Sequence, residues 1–302
     1  MSEYIHFKQG NTQLLTDLPH SGVELPESHN LDINAGYVQR TIRFGVDLAA
    51  PGVTGFHHQK NSRIYTTASR VFLDLNRGVS DIDKYSVEGS EEEMHPHGLI
   101  WRASIETREE DIKDLLTKPY TTAELQGLIK KFHTPYHNAV RDEMFRLRGI
   151  HGRAISFALH SFPASLPEKV DTGKYSGAYL FPKPTERGSL KDGKLPDAFI
   201  INNEGSPTCD PEISQLVIDI FSANGYLVEI MPVVPIKTTS PRDWVNPEDG
   251  LHFLGIELVR NHLGQPLEPR GLEGFTTYNR IGQEKMMATC DKVFRKLESW
   301  GR

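Results

Sequence analysis

The stretch Leu14-Leu15-Thr16-Asp17-Leu18-Pro19-His20-Ser21-Gly22-Val23-Glu24 does most to constrain what this chain can fold into. A short apolar run stopped by Pro19 reads as a buried strand, and Pro19-His20-Ser21-Gly22 reads as the turn that ends it. Open α/β sheets collect their chemistry outside the carboxyl ends of their strands, so His20 and Glu24 sit where a reactive group belongs. A neutral imidazole beside a carboxylate is also donor chemistry that a divalent transition metal takes.

Three further segments extend the pattern. In Ala154–Ser161, Ile155, Phe157 and Leu159 alternate with Ala154, Ser156 and Ala158, predicting a second strand that ends in His160-Ser161. In Ser69–Arg77, Val71, Leu73 and Leu75 alternate with Arg70, Phe72 and Asp74, predicting a strand over 70–76 with Asn76-Arg77 at its end. The planar fork of Arg77 suits a carboxylate held bidentately, with Asn76 adding a donor; the plainer alternative is pairing of Asp74 with Arg70 or Arg77 that ties a loop down. Leu251–Leu258 is an apolar strand with one acidic residue, Glu257, and Glu is almost never fully buried alone. Glu257 is therefore a candidate general base or a buried ion-pair member.

A coarse pass predicts strands near 12–18, 70–76, 153–160, 197–203, 225–231 and 251–259, alternating with helices. Thr121-x-x-Glu124 is a capping box that starts a helix carrying Leu125, Leu128, Ile129, Phe132 and Tyr136, with Pro135 as a break or kink. A second helix runs from Pro211 to Asn224, with Gly225 suited to its C-terminal cap. A last helix presents Met286, Cys290, Val293, Leu297 and Trp300 on one face. The pattern predicts an α/β fold, a mixed, mostly parallel central sheet flanked by helices. No linker divides the 302 residues, so they are expected to form a single domain with loop excursions near 77–98, 162–196 and 232–250. The second excursion is either an active-site lid or a surface loop.

Bulk properties exclude several classes. Lys and Arg number 34 against 40 Asp and Glu, and the resulting net charge of −6 disfavours nucleic acid or an anionic membrane as partner. Two cysteines make no disulfide framework, and the first residues have neither the basic start nor the apolar core of a signal peptide, so a cytoplasmic location is expected. No glycine-rich phosphate loop follows a strand. Ser21 and Ser161 each adjoin a His, but neither lies in a Gly-x-Ser-x-Gly elbow. Cys209 is either a nucleophile or a small buried residue at a helix start.

The ordered set Pro19-His20-Ser21-Gly22, Ser69-Arg70 with Asp74-Leu75-Asn76-Arg77, His97-Gly98-Leu99, Pro135-Tyr136-His137, Leu159-His160-Ser161, Asp192-Gly193-Lys194-Leu195-Pro196-Asp197 and Cys209-Asp210-Pro211 resembles the N-formylglutamate amidohydrolase family. The resemblance spans about residues 14–260. It implies a fold related to the zinc carboxypeptidases and acylamino-acid deacylases. It further implies a zinc or other divalent-metal hydrolase that removes an N-formyl or other small N-acyl group from an acidic amino acid. His20 and His160 become expected metal ligands. The third is Asp47, which matches an Asp in the family motif after the first His, or Glu24, the nearest carboxylate in sequence. Glu257 is expected as general base and Arg70 as oxyanion stabiliser. Asn76, Arg77 and Arg242 are expected to hold the substrate carboxylates, and His97 to line the pocket, while His137 is expected to be structural. The remaining alternatives are a zinc carboxypeptidase acting on a short peptide and a catalytically silent binder of an acidic metabolite.

Overall fold

A computed structural model describes residues 2–47, 60–90, 96–162, 168–171, 173–180, 196–201, 208–230, 244–259 and 280–301. Its centre is a seven-stranded sheet built from β1 (Ile5–Lys8), β2 (Leu14–Leu18), β3 (Ser62–Thr66), β4 (Ala154–Phe162), β7 (Ala198–Ile201), β8 (Val228–Ile230) and β9 (Leu251–Val259), in the order β1-β3-β2-β4-β9-β7-β8. The run β3-β2-β4-β9 is parallel; β1 joins β3, and β7 joins β9, antiparallel. This is the expected mixed, mostly parallel α/β sheet. A separate pair, β5 (Glu168–Lys169) and β6 (Tyr179–Leu180), lies apart from it in the hydrogen-bonding pattern.

The helices are α1 (Gly36–Gly45), α2 (Thr122–Leu128), α3 (Thr134–His151), α4 (Pro211–Ala223) and α5 (Arg280–Ser299). Side chains on β4 sort by the two-residue period of a strand. Ile155, Phe157 and Leu159 join the core under α4 and α5, with Val217, Phe221 and Phe294. The opposite face of β4 carries Ala154, Ser156, Ala158 and His160, small residues that lead up to an imidazole. On that face a second core gathers Val38 and Ile42 of α1 with Tyr136, Val140 and Met144 of α3.

The capping box forms as expected: Thr121 Oγ1 accepts from the Glu124 amide, and the Glu124 carboxylate accepts from the Thr121 amide. Pro135 neither ends nor breaks the run. It removes an amide from the first turn of α3, and the chain widens into a π turn over Ile129–His133, with the Thr134 amide donating to the Ile129 carbonyl. Asp210 caps α4, and Gly225 follows it at φ 82°. On α5, Met286, Cys290, Val293 and Leu297 are buried, as the pattern predicts.

Two readings need correction. Ser69–Arg77 is an irregular turn, not a strand. Phe72 is as buried as Val71, Leu73 and Leu75, so the apparent alternation arises from a turn wrapped into the core. The strand beside β2 is instead β3, whose Ile64 is buried and whose Arg63 and Tyr65 are partly exposed. The excursions 162–196 and 232–250, the Asp192–Leu195 part of the motif and the end of the predicted strand at 202–203 lie largely or wholly outside the described residues.

Gly22 is needed where the turn after β2 meets the end of β3. The Glu24 amide donates to the Thr67 carbonyl and the Ser69 amide to the Glu24 carbonyl, 2.8 Å each. A Cβ on Gly22 would lie 2.0 Å from the Thr67 carbonyl carbon and oxygen. Gly22→Ala must therefore push two backbone segments apart. We expect it to lower unfolding free energy by about 1–3 kcal/mol, the usual range for overpacking, read as a lower urea midpoint at unchanged slope.

Candidate metal centre and active site

The carboxyl ends of β2 and β4 bring His20 and His160 together, as two parallel neighbours must. The chain leaving α1 adds Asp47, whose amide donates to the His20 carbonyl at 2.7 Å. All three side chains are buried, and each offers one donor atom within 4.8 Å of the others. His20 Nδ1 lies 3.3 Å from Asp47 Oδ2, His160 Nδ1 lies 3.2 Å from the same oxygen, and the two Nδ1 atoms are 3.2 Å apart. A tetrahedral zinc with bonds of ~2.0–2.1 Å spaces its donors ~3.3 Å apart, so the triangle has the dimensions of one face of such a site. Glu24 is exposed and accepts from Thr67 Oγ1 at 2.8 Å, away from this cluster.

Electrostatics favour a cation at the triangle. His20 Nε2 faces Asp74 Oδ1 at 2.8 Å, which assigns the ring hydrogen to Nε2 and leaves a lone pair on Nδ1. Burial would raise the Asp47 carboxyl, but the hydrogen bonds and charges of His160 and His20 hold it below the ordinary carboxylate range. Burial would likewise lower His160, yet the bond to Asp47 and the charges of Glu257 and Asp47 raise it. The other oxygen, Asp47 Oδ1, accepts from the Ser161 amide and hydroxyl at 3.0 Å each, which fixes the carboxylate's orientation.

Glu257 stands directly across the β4–β9 ladder from His160. Its side chain keeps some solvent access. Desolvation, reinforced by the Asp47 charge, raises its pKa against the opposing charges of His160 and Arg70. A partly accessible carboxyl with a raised pKa beside three side chains that could hold a metal ion is suited to proton transfer near neutral pH.

The turn Ser69–Arg77 is organised by Asp74, which sequence reasoning placed only in loop-tying pairs. Asp74 is fully buried and accepts from His20 Nε2, from Arg70 Nε and Nη2 at 3.0 and 2.6 Å, from Trp101 Nε1 at 3.2 Å and from the Asn76 amide at 2.9 Å. Desolvation opposes its charge, but Arg70, His20 and Arg77 hold the carboxyl well below its ordinary value. The turn is fixed from behind by α3 and the π segment: His137 Nε2 donates to the Leu75 carbonyl at 2.8 Å and His133 Nε2 to the Arg77 carbonyl at 2.9 Å. Burial lowers the His137 pKa to about 3, so it serves as a neutral structural donor, as expected.

Arg70 is partly exposed and lies over Trp101 at 4.8 Å. Arg77 is buried and stands 3.8 Å from a carboxylate oxygen of each of Asp74 and Asp81, so its charge is answered inside the protein. Asn76 is partly buried in the same turn. His97 does not join the cluster. Its Nε2 donates to the Ala103 carbonyl, its Nδ1 accepts from the Tyr179 amide, and its ring packs on Trp101. Burial pushes it to about 3, so it packs on Trp101 as a neutral ring. Arg242 lies outside the described residues.

Nucleophile alternatives lose their geometry. Ser21 Oγ donates to the Leu18 and Thr66 carbonyls and Ser161 Oγ to Asp47. The buried Cys209 thiol is pushed up to about 11 by desolvation, far from a reactive thiolate.

The sheet carries its His–Asp–His set and a carboxylate at its strand ends, and similarity to known proteins makes the chain a hydrolase acting on an amide bond. The chain belongs to the N-formylglutamate amidohydrolase family, whose model matches residues 12–263. It is 23% identical over 306 residues to an N-formylglutamate deformylase of Pseudomonas aeruginosa, covering 100% of this chain and 98% of that one. It is 24% identical over 311 residues to one of Pseudomonas putida, with the same coverage. The fold matches a crystal structure of an N-formylglutamate amidohydrolase from Ralstonia eutropha with a TM-score of 0.71 and 22% identity over 98% of this chain and 97% of that one. No helix among the described residues is long and apolar enough to cross a membrane.

Asp74→Asn removes the charge that neutralises Arg70 and Arg77. We expect a loss of about 3–5 kcal/mol at neutral pH, the range for breaking a buried ion pair, read by urea unfolding. The carboxyl's folded pKa is depressed, so its contribution is complete above the unfolded value of ~3.9 and is lost as pH falls through the folded value. The gap between wild type and variant should therefore narrow below about pH 4.

Proposed function

We propose that this protein is a metal-dependent N-formylglutamate deformylase, which adds water across the formyl amide to give formate and glutamate. The observation that carries this reading is the convergence of His20 Nδ1, His160 Nδ1 and Asp47 Oδ2 beside Glu257, in a member of this family. Those three atoms would hold one divalent transition ion, zinc foremost, whose bound state supplies a Lewis acid that acidifies water and polarises the scissile carbonyl.

The chain's own residues do the rest. Glu257, with its raised pKa, takes the proton of the attacking water and returns it to the leaving nitrogen. Arg70, partly exposed and oriented by Asp74, offers its remaining guanidinium edge to the oxyanion that develops on the formyl carbon. Asn76, which shares with Arg70 the solvent access of their turn, is assigned the substrate carboxylates together with Arg242; Arg77 supports the turn from behind with buried charge. Asp74 and Ser161 act as positioning residues: one fixes the His20 ring, the other the Asp47 carboxylate. Burial of His20, Asp47 and His160 excludes bulk water from that side of the site.

Two variants test separate parts of this reading. His160→Ala should reduce metal, measured by elemental analysis of the purified protein, from about one ion per chain to near zero, with deformylation lost in parallel. Glu257→Gln should keep metal near one per chain while turnover of N-formylglutamate falls by roughly 10²–10⁴, the usual worth of general acid–base catalysis. Full metal in the first variant, or wild-type turnover in the second, would remove the corresponding residue from the mechanism. Faster turnover of dipeptides than of N-formylglutamate would assign the chain to peptide cleavage.

A further inference from the structure

A second cleft lies at the other end of the strands that carry the candidate site. It occupies about 360 Å³ and is lined by residues that precede β4 and open β9, among them Arg153, Glu248 and His252, with Arg148 of α3 and Trp300 beyond α5. His252 and Glu257 stand five positions apart on β9, a span of roughly 17 Å at the rise of a strand.

The cleft carries charges of both signs that do not meet. Arg148, Arg153 and Glu248 have no ion-pair partner among the described residues, although all three line one space. The Arg153 guanidinium lies 5.0 Å over the Trp300 ring, beside the Gly301 backbone, and lines the cleft. His252 is 3% exposed. Its Nδ1 accepts from the Asp210 amide at 3.3 Å, so its hydrogen sits on Nε2, which has no partner among the described residues. Burial lowers this imidazole to about 4, which keeps it a neutral donor. Asp210 and Asp249 are engaged locally, one capping α4 and the other accepting from Asn246 Nδ2 at 2.9 Å, so Glu248 is the carboxylate left for a ligand.

Two guanidiniums and an N–H donor suit a carboxylate, whereas a separate unpaired carboxylate repels a simple anion and attracts an ammonium. We propose that this cleft binds a free α-amino acid by its zwitterionic head, the carboxylate on Arg148, Arg153 and His252 and the ammonium toward Glu248. The site is separate from the deformylase centre and does not depend on that assignment.

Calorimetric titration of the full metal-loaded chain tests it with L-alanine, which carries the head and little else, and with N-acetyl-L-alanine, L-alaninamide and inorganic phosphate. L-Alanine should saturate one site per chain, and each of the other three should bind at least tenfold more weakly. Binding should persist in His160→Ala and disappear in the Arg148→Gln/Arg153→Gln double variant, with the latter's deformylation rate unchanged. No saturable L-alanine binding, equal binding of phosphate or of either blocked analogue, or retained binding in a folded double variant would overturn the proposal. If the double variant does not fold, the ligand series decides alone.

Discussion

A buried carboxylate with no net partner would not stay charged, and Asp74 is charged because three separate parts of the chain supply donors to it. His20 comes from the end of β2, Arg70 and the Asn76 amide from its own turn, and Trp101 from a distant loop. Each donor would be expensive to leave unsatisfied, so each segment is held wherever Asp74 is. The carboxylate thereby couples the path of an irregular turn to the angle of one imidazole. His97 extends the chain of contacts by packing on Trp101 while both its ring nitrogens are tied to backbone.

The strands that bear the site were legible because their apolar periodicity ends abruptly in a polar group, at Leu18-Pro19-His20 and at Leu159-His160. Helix ends were legible for the same local reason: Thr121 with Glu124, and Asp210 with Pro211, carry their caps within three residues. What stayed hidden is nonlocal. The 69–77 segment imitates a strand because a turn that buries Val71, Phe72, Leu73 and Leu75 around one ion cluster carries the same apolar content. The choice between Asp47 and Glu24 also depends on distance across the fold. Glu24 is nearer to His20 in sequence but is drawn toward Thr67 by the bridge between its loop and β3. The family resemblance that pointed to His97 says nothing about which backbone groups surround its ring, here the Ala103 carbonyl and the Tyr179 amide.

The two faces of β4 divide labour by volume. Ile155, Phe157 and Leu159 fill the space under α4 and α5, and burial of such side chains contributes ~1.5–3 kcal/mol each. Ala154, Ser156 and Ala158 give up that contribution and let α3 approach closely enough for Tyr136 to donate to Asp17, which pairs with Ala158 two residues before His160.

His160 and Glu257 face each other as one rung of a nine-rung parallel ladder, bounded by Ala154↔Leu251 and Phe162↔Val259. Slipping that ladder by one residue would turn every side chain of the slipped strand to the opposite face, so His160 and Glu257 keep their spacing only as long as neither strand gains or loses a residue. The connections beyond the strand ends are under no such arithmetic. A residue added to or removed from those connections therefore leaves the His160–Glu257 rung where it is.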